Sequence, residues 1–208
     1  MDYADEPARA AARVLEDHPD YRVLRRLVPR DDFDVRPAAA PAVGVIVDTE
    51  TTGTDVRNDR IVELSVLRFE YCPETGAVCR VLEVYSSLED PGRPIPPEST
   101  AIHGITDAMV HGRRIDDARV AALLSGATLV IAHNAAFDRP VLEARLPVFA
   151  SRPWACSHAQ VPWAEEGFAG SKLEYLGLHC GFFYDAHRSE TDCRALLEVL
   201  RRPLPKCG

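Results

Sequence analysis

The sequence lacks the features that would place the protein in a membrane or in an oxidising compartment. No run reaches the roughly 18 apolar residues of a membrane span, and the N-terminus, MDYADEPARAAA, is acidic without an apolar signal core. The six cysteines show no CxxC spacing, which favours free thiols in a reducing compartment. We therefore expect a cytoplasmic protein with no membrane partner.

The sequence is also short of basic residues relative to acidic ones. It has 24 Lys and Arg against 32 Asp and Glu, a formal net charge of −8. This balance argues against tight, non-specific binding to duplex nucleic acid through long-range electrostatics. It does not exclude a nuclease, because bound cations reverse the charge of a carboxylate cluster locally. No internal repeat is present, and 208 residues suit one domain with a short extension.

Two pairs of cysteine and histidine residues could be imagined as zinc ligands. Cys156 lies close in sequence to His158, and His179 precedes Cys180. Their spacing is poor for a closed tetrahedral site, so the interpretation as scattered core and surface residues is favoured.

The N-terminal region differs in pattern from the rest of the chain. Apolar residues recur at helical spacing over residues 4–28, which predicts an amphipathic helix. Residues 37–44, PAAAPAVG, predict a Pro/Ala linker. We therefore divide the chain into an N-terminal helical arm with its linker, residues 1–40, and a main domain, residues 41–208. The sequence leaves open whether the arm caps this domain or docks elsewhere.

From residue 43 the pattern predicts strands. VGVIVD, residues 43–48, is a continuous apolar run that predicts a strand buried on both faces. Residues 61–71 and 78–88 alternate in polarity, and CPETG between them predicts an antiparallel hairpin. ATLVIAH, residues 127–133, predicts a second buried strand, and WACSH, residues 154–158, a short one.

Loops and helices fill the remaining segments. Four prolines between Pro91 and Pro97 predict a loop. Helices are predicted near residues 116–125, 135–146, 171–179 and 188–202. Hairpin strands on one side and strand–helix units on the other indicate an α/β fold, in which a mixed sheet carries helices on its faces.

The first motif that carries chemistry is VDTETTG. Side chains two residues apart on a strand point to the same face, so Asp48 and Glu50 project together where the buried strand ends. Paired carboxylates raise each other's pKa unless a cation lies between them. Thr51, Thr52 and Gly53 follow in a turn whose backbone amides could approach a substrate closely. The alternative is a solvated, polar strand end.

The second motif is HNAAFD, at the end of the second buried strand. Asn134 is well placed as a helix N-cap, and Asp138 falls in the first helical turn. Asp138 could simply complement the helix dipole, or it could be a third carboxylate at the edge where open α/β sheets place their ligands. Phe137 could be a core residue or a platform for a terminal base.

The third motif is HRSETD. His187 and Asp192 are five residues apart, about 140° around a helix. They can reach one site only if His187 lies on the loop before the helix and Asp192 on its first turns. Two alternatives stand beside a functional role: a surface histidine, and a capping box formed by Ser189 and Asp192.

In identity, order and rough spacing, these three motifs resemble those of the DEDDh (DnaQ-like) family of 3′–5′ exonucleases over residues 43–200. The resemblance implies an RNase H-like fold with a mixed five-stranded sheet and two divalent cations, Mg²⁺ or Mn²⁺. It implies that Asp48 bridges both ions, that Glu50 and Asp192 complete the first site, and that Asp138 holds the second through water. His187 would be the general base.

The resemblance extends to residues that would contact substrate. AIHGITDAMV, residues 101–110, is similar to the segment that contacts the terminal nucleotide in part of the family, which adds His103 to Asn134, Phe137 and the turn after Glu50. The expected reaction is hydrolysis from the 3′ end of single-stranded or frayed DNA to nucleoside 5′-monophosphates. A DNA polymerase subunit is an expected partner, and the oligomeric state is open.

Three alternatives to DNA hydrolysis remain. The first is a 3′–5′ exoribonuclease of the same family, because sugar discrimination depends on how closely the chain approaches the 2′ position. The second is a catalytically silent nucleic-acid-binding domain that accompanies a polymerase. The third, a metallohydrolase acting on other substrates, is disfavoured by the absence of HExxH or histidine-rich ligand spacing.

Overall fold

A central five-stranded sheet organises the fold of the protein, whose computed structural model describes residues 6–37 and 39–206. The strands are β1 (Arg25–Arg26), β2 (Ala42–Thr51), β3 (Ile61–Tyr71), β4 (Val78–Leu88), β5 (Leu129–Ala132), β6 (Trp154–Cys156) and β7 (Phe182–Phe183). The helices are α1 (Glu6–Glu16), α2 (Pro97–His103), α3 (Asp107–Val110), α4 (Asp117–Leu124), α5 (Ala135–Arg145), α6 (Ser157–Gln160), α7 (Leu173–His179) and α8 (Ser189–Leu200). A 3₁₀ turn spans Pro147–Phe149.

The sheet has the mixed topology that the sequence predicts. Its strand order is β4-β3-β2-β5-β6. β2 pairs with β3, and β3 with β4, in antiparallel fashion, whereas β2–β5 and β5–β6 are parallel. The predicted hairpin strands, residues 61–71 and 78–88, have the same bounds in the structure.

β2 is buried on both faces, as its unbroken apolar run predicts. Val45 and Val47 pack on one side of the sheet in a cluster that includes Leu142 of α5. Ile46 faces the other side and packs in a second cluster with Leu196 of α8. Because successive side chains on a strand alternate in direction, one run of valine and isoleucine supplies both cores.

The functional edge of the sheet follows from this topology. β2 and β5 are parallel neighbours, so their carboxyl ends lie at the same edge. α5 starts directly after β5, and α8 packs against β2 and β3 from the other face. Side chains at the end of β2, in the first turn of α5 and at the start of α8 therefore converge. Open α/β sheets place their ligands at this kind of edge.

The predicted helix over residues 4–28 is wrong beyond its first part. α1 ends at Glu16, residues 25–26 form β1, and residues 4–5 lie outside the described residues. The physical reason is Pro19, since the residue before a proline is disfavoured in the helical region and helices end there. Proline also lacks the N–H that the helix would use.

The segment after α1 docks on the domain, a question the sequence left open. β1 pairs in parallel with β7, with Arg25 opposite Phe182. Leu27 and Phe33 pack against the core on the α8 side of the sheet, whereas α1 has no buried residue. The division of the chain after residue 40 stays a prediction.

The region after the predicted proline-rich loop contains two short helices, α2 and α3, which the sequence did not predict. Pro97 occupies the first turn of α2, where its missing N–H costs nothing. Gly104 ends α2 in the left-handed conformation, with φ of 71°, which glycine adopts without strain. α3 follows at once. No helix in the described part of the chain has the length and apolarity that a membrane crossing requires.

Candidate active site

Three carboxylates from distant parts of the sequence meet at the edge of the sheet. Asp48 and Glu50 project from the end of β2, and Asp192 from α8. One ligand oxygen from each lies within 4.8 Å of the other two. The structure thus confirms that Asp48 and Glu50 share a face, and it adds Asp192 to them.

Asp138 supplies a fourth carboxylate to the same cleft. Its side chain is buried in the first turn of α5. Oδ1 accepts two hydrogen bonds from Thr49 of β2, one from the backbone N–H at 3.1 Å and one from the hydroxyl at 2.8 Å. Asp138 lines a cleft of about 440 Å³ together with Asp48 and Asp192. Its position is therefore set by β2 as well as by its own helix.

Burial is the largest cause of a raised pKa in all four carboxyl groups, and the charges of neighbouring carboxylates add to it for Asp48, Glu50 and Asp138. Burial raises the pKa of Glu50 to about 8, with Asp192 as the next cause. Burial likewise raises the pKa of Asp138 to about 7, although the bonds from Thr49 oppose the change. The pKa of Asp192 rises to about 6, again through burial. Burial, then the charges of Asp138 and Asp192, raise the pKa of Asp48 well above its usual value.

This donor set fits a hard divalent cation. Carboxylate oxygens are the ligands that Mg²⁺ and Mn²⁺ prefer, and a cation would relieve the repulsion that raises these pKa values. Among the described residues, Asp48, Glu50 and Asp192 form the one group of three or more suitable side chains. The zinc alternatives at Cys156 with His158 and at His179 with Cys180 gain no support from the structure.

His187 lies where the third motif requires it, on the loop before α8. Its side chain is half-exposed and lines the same cleft as Asp48, Asp138 and Asp192. The backbone at His187 is left-handed, with φ of 63°, a conformation that costs free energy for a residue other than glycine. Nε2 lies 3.9 Å from Oε1 of Glu174. The histidine thus stands at the mouth of the cleft.

The start of α8 differs from the predicted capping box. The N-cap is Arg188, one residue before Ser189, and its side chain makes no capping bond. Asp192 Oδ2 accepts the backbone N–H of Arg188 at 3.1 Å. The hydroxyl of Ser189 is instead 2.8 Å from that of Ser65 on β3, because the helix start is buried against the sheet.

Tyr184 is a cleft residue that the sequence analysis missed. Its hydroxyl donates to Asp192 Oδ1 at 3.0 Å and lines the cleft. Burial, followed by the charge of Asp192, raises the pKa of Tyr184 strongly, so the hydroxyl keeps its proton and stays a donor. The segment GFFYDA was interpreted only as a loop. An aromatic hydroxyl three residues before His187 was the available signal.

A second, smaller cleft of about 180 Å³ adjoins the carboxylates and holds several predicted substrate contacts. Glu50, Thr51, Gly53, His103 and Phe137 all line it, and Phe137 also lines the larger cleft. Phe137 belongs to none of the core clusters among the described residues. Its ring therefore borders both clefts, and a role in contacting the terminal base stays a prediction.

His103 is buried beside this smaller cleft. Its Nδ1 accepts the N–H of Ile105 at 3.0 Å, so the neutral ring carries its proton on Nε2. Within the described residues, Nε2 has no hydrogen-bond partner of normal geometry. Burial lowers the pKa of His103, which keeps the ring neutral at physiological pH. A contact with the backbone of Thr51 opposes this change in pKa, so a polar ligand group would compete with that contact for the ring N–H.

Thr52 was expected to offer its backbone amide to a substrate, but this N–H donates to the carbonyl of Arg60 at 2.9 Å. The side chain of Thr52 is buried, with 1% exposed, and lines neither cleft. Its hydroxyl donates to Asp59 Oδ1 at 2.8 Å and accepts from Arg93 at 2.7 Å. Gly53 lies so close to Asp59 that a Cβ atom would collide with this carboxylate. The turn after Glu50 is therefore stabilised by its own hydrogen bonds.

Asn134, His133 and Lys172 also line the larger cleft. Asn134 is the N-cap of α5, as predicted, but its side chain makes no capping bond and lines the cleft. His133 is 2.7 Å from the carbonyl of Ser171, and burial lowers its pKa to about 4. The sequence analysis missed Lys172 as a cleft residue.

Comparison with known proteins identifies relatives of this chain. Its sequence is 33% identical over 167 residues to the DNA polymerase III subunit epsilon of Treponema pallidum, covering 73% of this chain and 72% of that one. A DNA polymerase III subunit epsilon-like protein of Rhodobacter capsulatus is 42% identical over 103 residues, 45% of this chain. The match spans only 13% of that protein.

Solved structures show similar folds. The structure described as exonuclease X in complex with 5′ overhanging duplex DNA has a TM-score of 0.56 and 26% identity, with 76% of this chain and 89% of that chain covered. The complex of E. coli exonuclease I with single-stranded DNA has a TM-score of 0.63 at 18% identity, covering 80% of this chain and 42% of that one, and shows the fold alone.

The family model of the RNase T exonucleases matches residues 45–200, most of the chain. This span includes the β2, α5 and α8 segments whose carboxylates converge in the cleft. Fold, sequence relatives and family match all agree, and the chain belongs to the RNase T family of exonucleases, which are nucleic-acid hydrolases.

Proposed function

We propose that this protein is a metal-dependent 3′–5′ exonuclease that releases nucleoside 5′-monophosphates from single-stranded or frayed DNA. The observation that carries the proposal is the convergence of four carboxylates in one cleft with a half-exposed histidine at its mouth. A structural role for so many like charges is costly, because the charges of Asp138, Asp192 and Glu50 all raise the pKa of Asp48. The catalytic domain is residues 41–208.

The carboxylates are the proposed metal ligands. Asp48 would be shared by two ions, Glu50 and Asp192 would hold the first, and Asp138 would serve the second through water. Mg²⁺ or Mn²⁺ bound there lowers the pKa of an attacking water and offsets charge on the phosphate. The hydroxyl of Tyr184 donates to Oδ1 of Asp192. The other oxygen, Oδ2, accepts the backbone N–H of Arg188 at the start of α8 and is left for the cleft.

His187 is the proposed general base. Its ring is half-exposed at the mouth of the cleft, and an imidazole nitrogen can accept the proton of an attacking water. Glu174, 3.9 Å away, would favour the protonated ring after the proton has moved. Two other histidines line the cleft, and both are engaged with Ser171: His133 lies 2.7 Å from its carbonyl and has a pKa of about 4, and Nε2 of the exposed His158 lies 3.1 Å from its hydroxyl.

The smaller cleft is the proposed site of the terminal nucleotide. Phe137 offers a face on which a base can stack, and the buried Nε2–H of His103 can donate to the sugar or the phosphate. Thr51 and Gly53 form the wall that the sugar would face. Asn134 and Lys172 line the larger cleft, where the scissile phosphate would lie.

DNA is the proposed substrate, and a DNA polymerase subunit the proposed partner. The relative with the most extensive overlap among those described above is a DNA polymerase III subunit epsilon, and both solved structures described above are complexes with DNA. That relative and those complexes support DNA as the proposed substrate of this chain.

A digestion experiment tests the proposal. Matched DNA and RNA oligomers labelled at the 5′ end are incubated with Mg²⁺ or Mn²⁺, and the products are resolved by length. The expected result is a ladder that shortens from the 3′ end of DNA, with mononucleotide product and no activity in excess EDTA. Asp48→Asn, which removes a ligand without changing side-chain size, is the matched inactive control.

Each other outcome has a definite meaning. Faster degradation of RNA than of DNA would indicate that the protein is a 3′–5′ exoribonuclease of the same family. Internal cleavage products, or full activity in EDTA, would contradict a metal-dependent exonuclease. Binding of a DNA 3′ end without hydrolysis under any metal would favour a silent accessory domain.

A further inference from the structure

Glu63 is a buried carboxylate close to the proposed metal ligands but not one of them. It lies on β3 directly opposite Glu50 of β2, and only 2% of it is exposed. The guanidinium of Arg188 donates to it from Nε at 3.2 Å to each oxygen and from a terminal nitrogen at 2.6 Å. The backbone N–H of Ser189 donates to Oε2 at 2.9 Å. The carboxylate of Glu63 thus binds Arg188 and Ser189, two consecutive residues at the start of α8.

This carboxylate behaves unlike its neighbours. Burial raises the pKa of Glu63, but the bonds from Arg188 and Ser189 outweigh burial and leave the pKa below its usual value. The carboxylates of the cleft, in contrast, have raised pKa values. An ionised group is kept in a buried position only when it is paired, since an unpaired buried charge is costly. Glu63 therefore stays ionised in its buried position because it is paired with Arg188.

The bonds of Glu63 reach the segment that carries His187. Arg188 follows His187 directly, and the backbone of His187 is left-handed with φ of 63°. Such a conformation persists only when surrounding contacts determine it. Arg188 is held from two sides, by Glu63 through its guanidinium and by Asp192 through its backbone N–H. The peptide after His187 is consequently tied to β3 and to α8.

The body of α8 does not depend on this ion pair. Its inner face packs in the core through Cys193, Leu196 and Leu197, each at most 3% exposed. Loss of the guanidinium would therefore leave the helix in place and remove the tie of the loop to β3, while the backbone bond from Arg188 to Asp192 remains. Asp192 lies on the helix, within one turn of Cys193, whereas His187 lies on the loop.

We propose that Glu63 and Arg188 are positioning residues that hold His187 at the mouth of the cleft. This inference rests on the proposed function, because it takes His187 to be the general base. Neither residue touches the reacting atoms. Their contribution is to restrict the His187 loop to the one backbone conformation that presents the imidazole to the cleft, so that little has to be ordered during catalysis.

The test compares Arg188→Ala, His187→Ala and the double variant. Misplacement of a catalytic group by about 1 Å can cost roughly 10²-fold in rate, so kcat of Arg188→Ala should fall by about that factor. Mn²⁺ binding, measured by the metal-induced shift in Tm, should stay within twofold of the wild type. In the His187→Ala background, Arg188→Ala should have no further effect on kcat, because both changes remove the same contribution.

Two additional measurements separate positioning from general structural damage. Methylguanidinium added to Arg188→Ala should restore part of kcat, since it can occupy the site beside Glu63. Glu63→Gln, a conservative change, should lower kcat in the same direction and remain folded by circular dichroism. Arg194→Ala is the matched control: this arginine is on α8 as well, pairs with Glu190 and Asp31, and should keep wild-type activity.

Three results would overturn the inference. Additive losses in the double variant would show that Arg188 acts independently of His187. Loss of Mn²⁺ binding in Arg188→Ala would show that the guanidinium acts on the metal ligands, through its charge near Glu50, instead of on His187. Absence of rescue together with lower Tm would show a purely structural role. Failure of the proposed function is distinguished by the wild type alone: a wild-type protein without metal-dependent hydrolysis would contradict that function, whatever the variants do.

Discussion

Thr49 and Asp138 connect the central strand to α5 at the floor of the cleft. Both the backbone N–H and the hydroxyl of Thr49 donate to Oδ1 of Asp138, at 3.1 and 2.8 Å. The second oxygen of Asp138 is therefore the one left for a ligand. These bonds also favour the ionised carboxylate and oppose the effect of burial, which raises the pKa of Asp138 to about 7.

Replacement of Thr49 by valine should weaken metal binding. Thr49→Val keeps the side-chain shape but removes the hydroxyl donor, so the pKa of Asp138 should rise further. A hydrogen bond to a charged group contributes about 1.5 kcal/mol or more, which predicts roughly tenfold weaker Mn²⁺ binding at pH 7. Titration of Mn²⁺ at pH 7 and pH 9 measures this, and the deficit should shrink at pH 9. Thr128→Val, at the opposite end of the sheet, is the control. An equal deficit at both pH values would contradict the explanation.

The metal-free protein should lose stability as the pH rises. A carboxyl group whose pKa is raised by folding contributes stability that is complete below its unfolded pKa and is lost as the pH rises through its folded pKa. The folded pKa values are about 6 for Asp192, about 7 for Asp138 and about 8 for Glu50. The loss should therefore continue to about pH 8. For a chain of this length, a loss of about 2 kcal/mol would lower Tm by roughly 4–8 °C.

Measurements between pH 6.5 and 8.5 in EDTA test this prediction. Below that range His133 opposes the trend, because a histidine whose pKa folding lowers to about 4 costs stability as the pH falls. Added Mn²⁺ should raise Tm most at the alkaline end. Glu50→Gln should flatten the pH dependence. A Tm that stays level or rises with pH in EDTA would exclude the predicted repulsion.

Substitution of His187 should impair turnover without loss of metal. General-base catalysis contributes about 10²–10⁴-fold to rate, and kcat of His187→Ala should fall within that range. The imidazole is half-exposed and lies outside the group of carboxylate ligands, so the metal-induced rise in Tm should remain. Loss of that rise would instead make His187 a metal ligand.

Phe137 should affect the choice of substrate end more than stability. Its ring lines both clefts, so Phe137→Leu should fold with nearly the wild-type Tm. We expect the wild type to degrade single-stranded DNA and mismatched ends faster than paired ends, because only an unpaired base can stack on the ring. The variant should lose about 1–3 kcal/mol of stacking and much of this preference. Equal wild-type rates on all three substrates would contradict the role of the ring.

Local sequence determined most of the architecture. Three patterns each predict their own strand: the unbroken apolar run of β2, the alternating hairpin strands and the apolar run before HNAAFD. They do so because the period of the apolar residues decides which side chains share a buried face. The paired carboxylates of VDTETTG could be placed on one face for the same reason. Pro19 shows how one residue can override such a pattern, since the apolar repeat continues past it and the helix does not.

The tertiary structure alone decided which side chains surround those carboxylates. Tyr184 and Lys172 reach the cleft from segments that have no periodicity, and their contacts depend on how the loops before α7 and α8 fold back on the sheet. The backbone N–H of Thr52 was expected at the substrate but donates to Arg60, and the Thr52 hydroxyl binds Asp59 in the same turn and Arg93 from a segment remote in sequence. Glu63 looked like one polar residue of an alternating strand, and only the packing of α8 against β3 brings Arg188 to it. Patterns within a segment follow from the chain's own geometry, whereas contacts between segments depend on long-range packing that no local pattern contains.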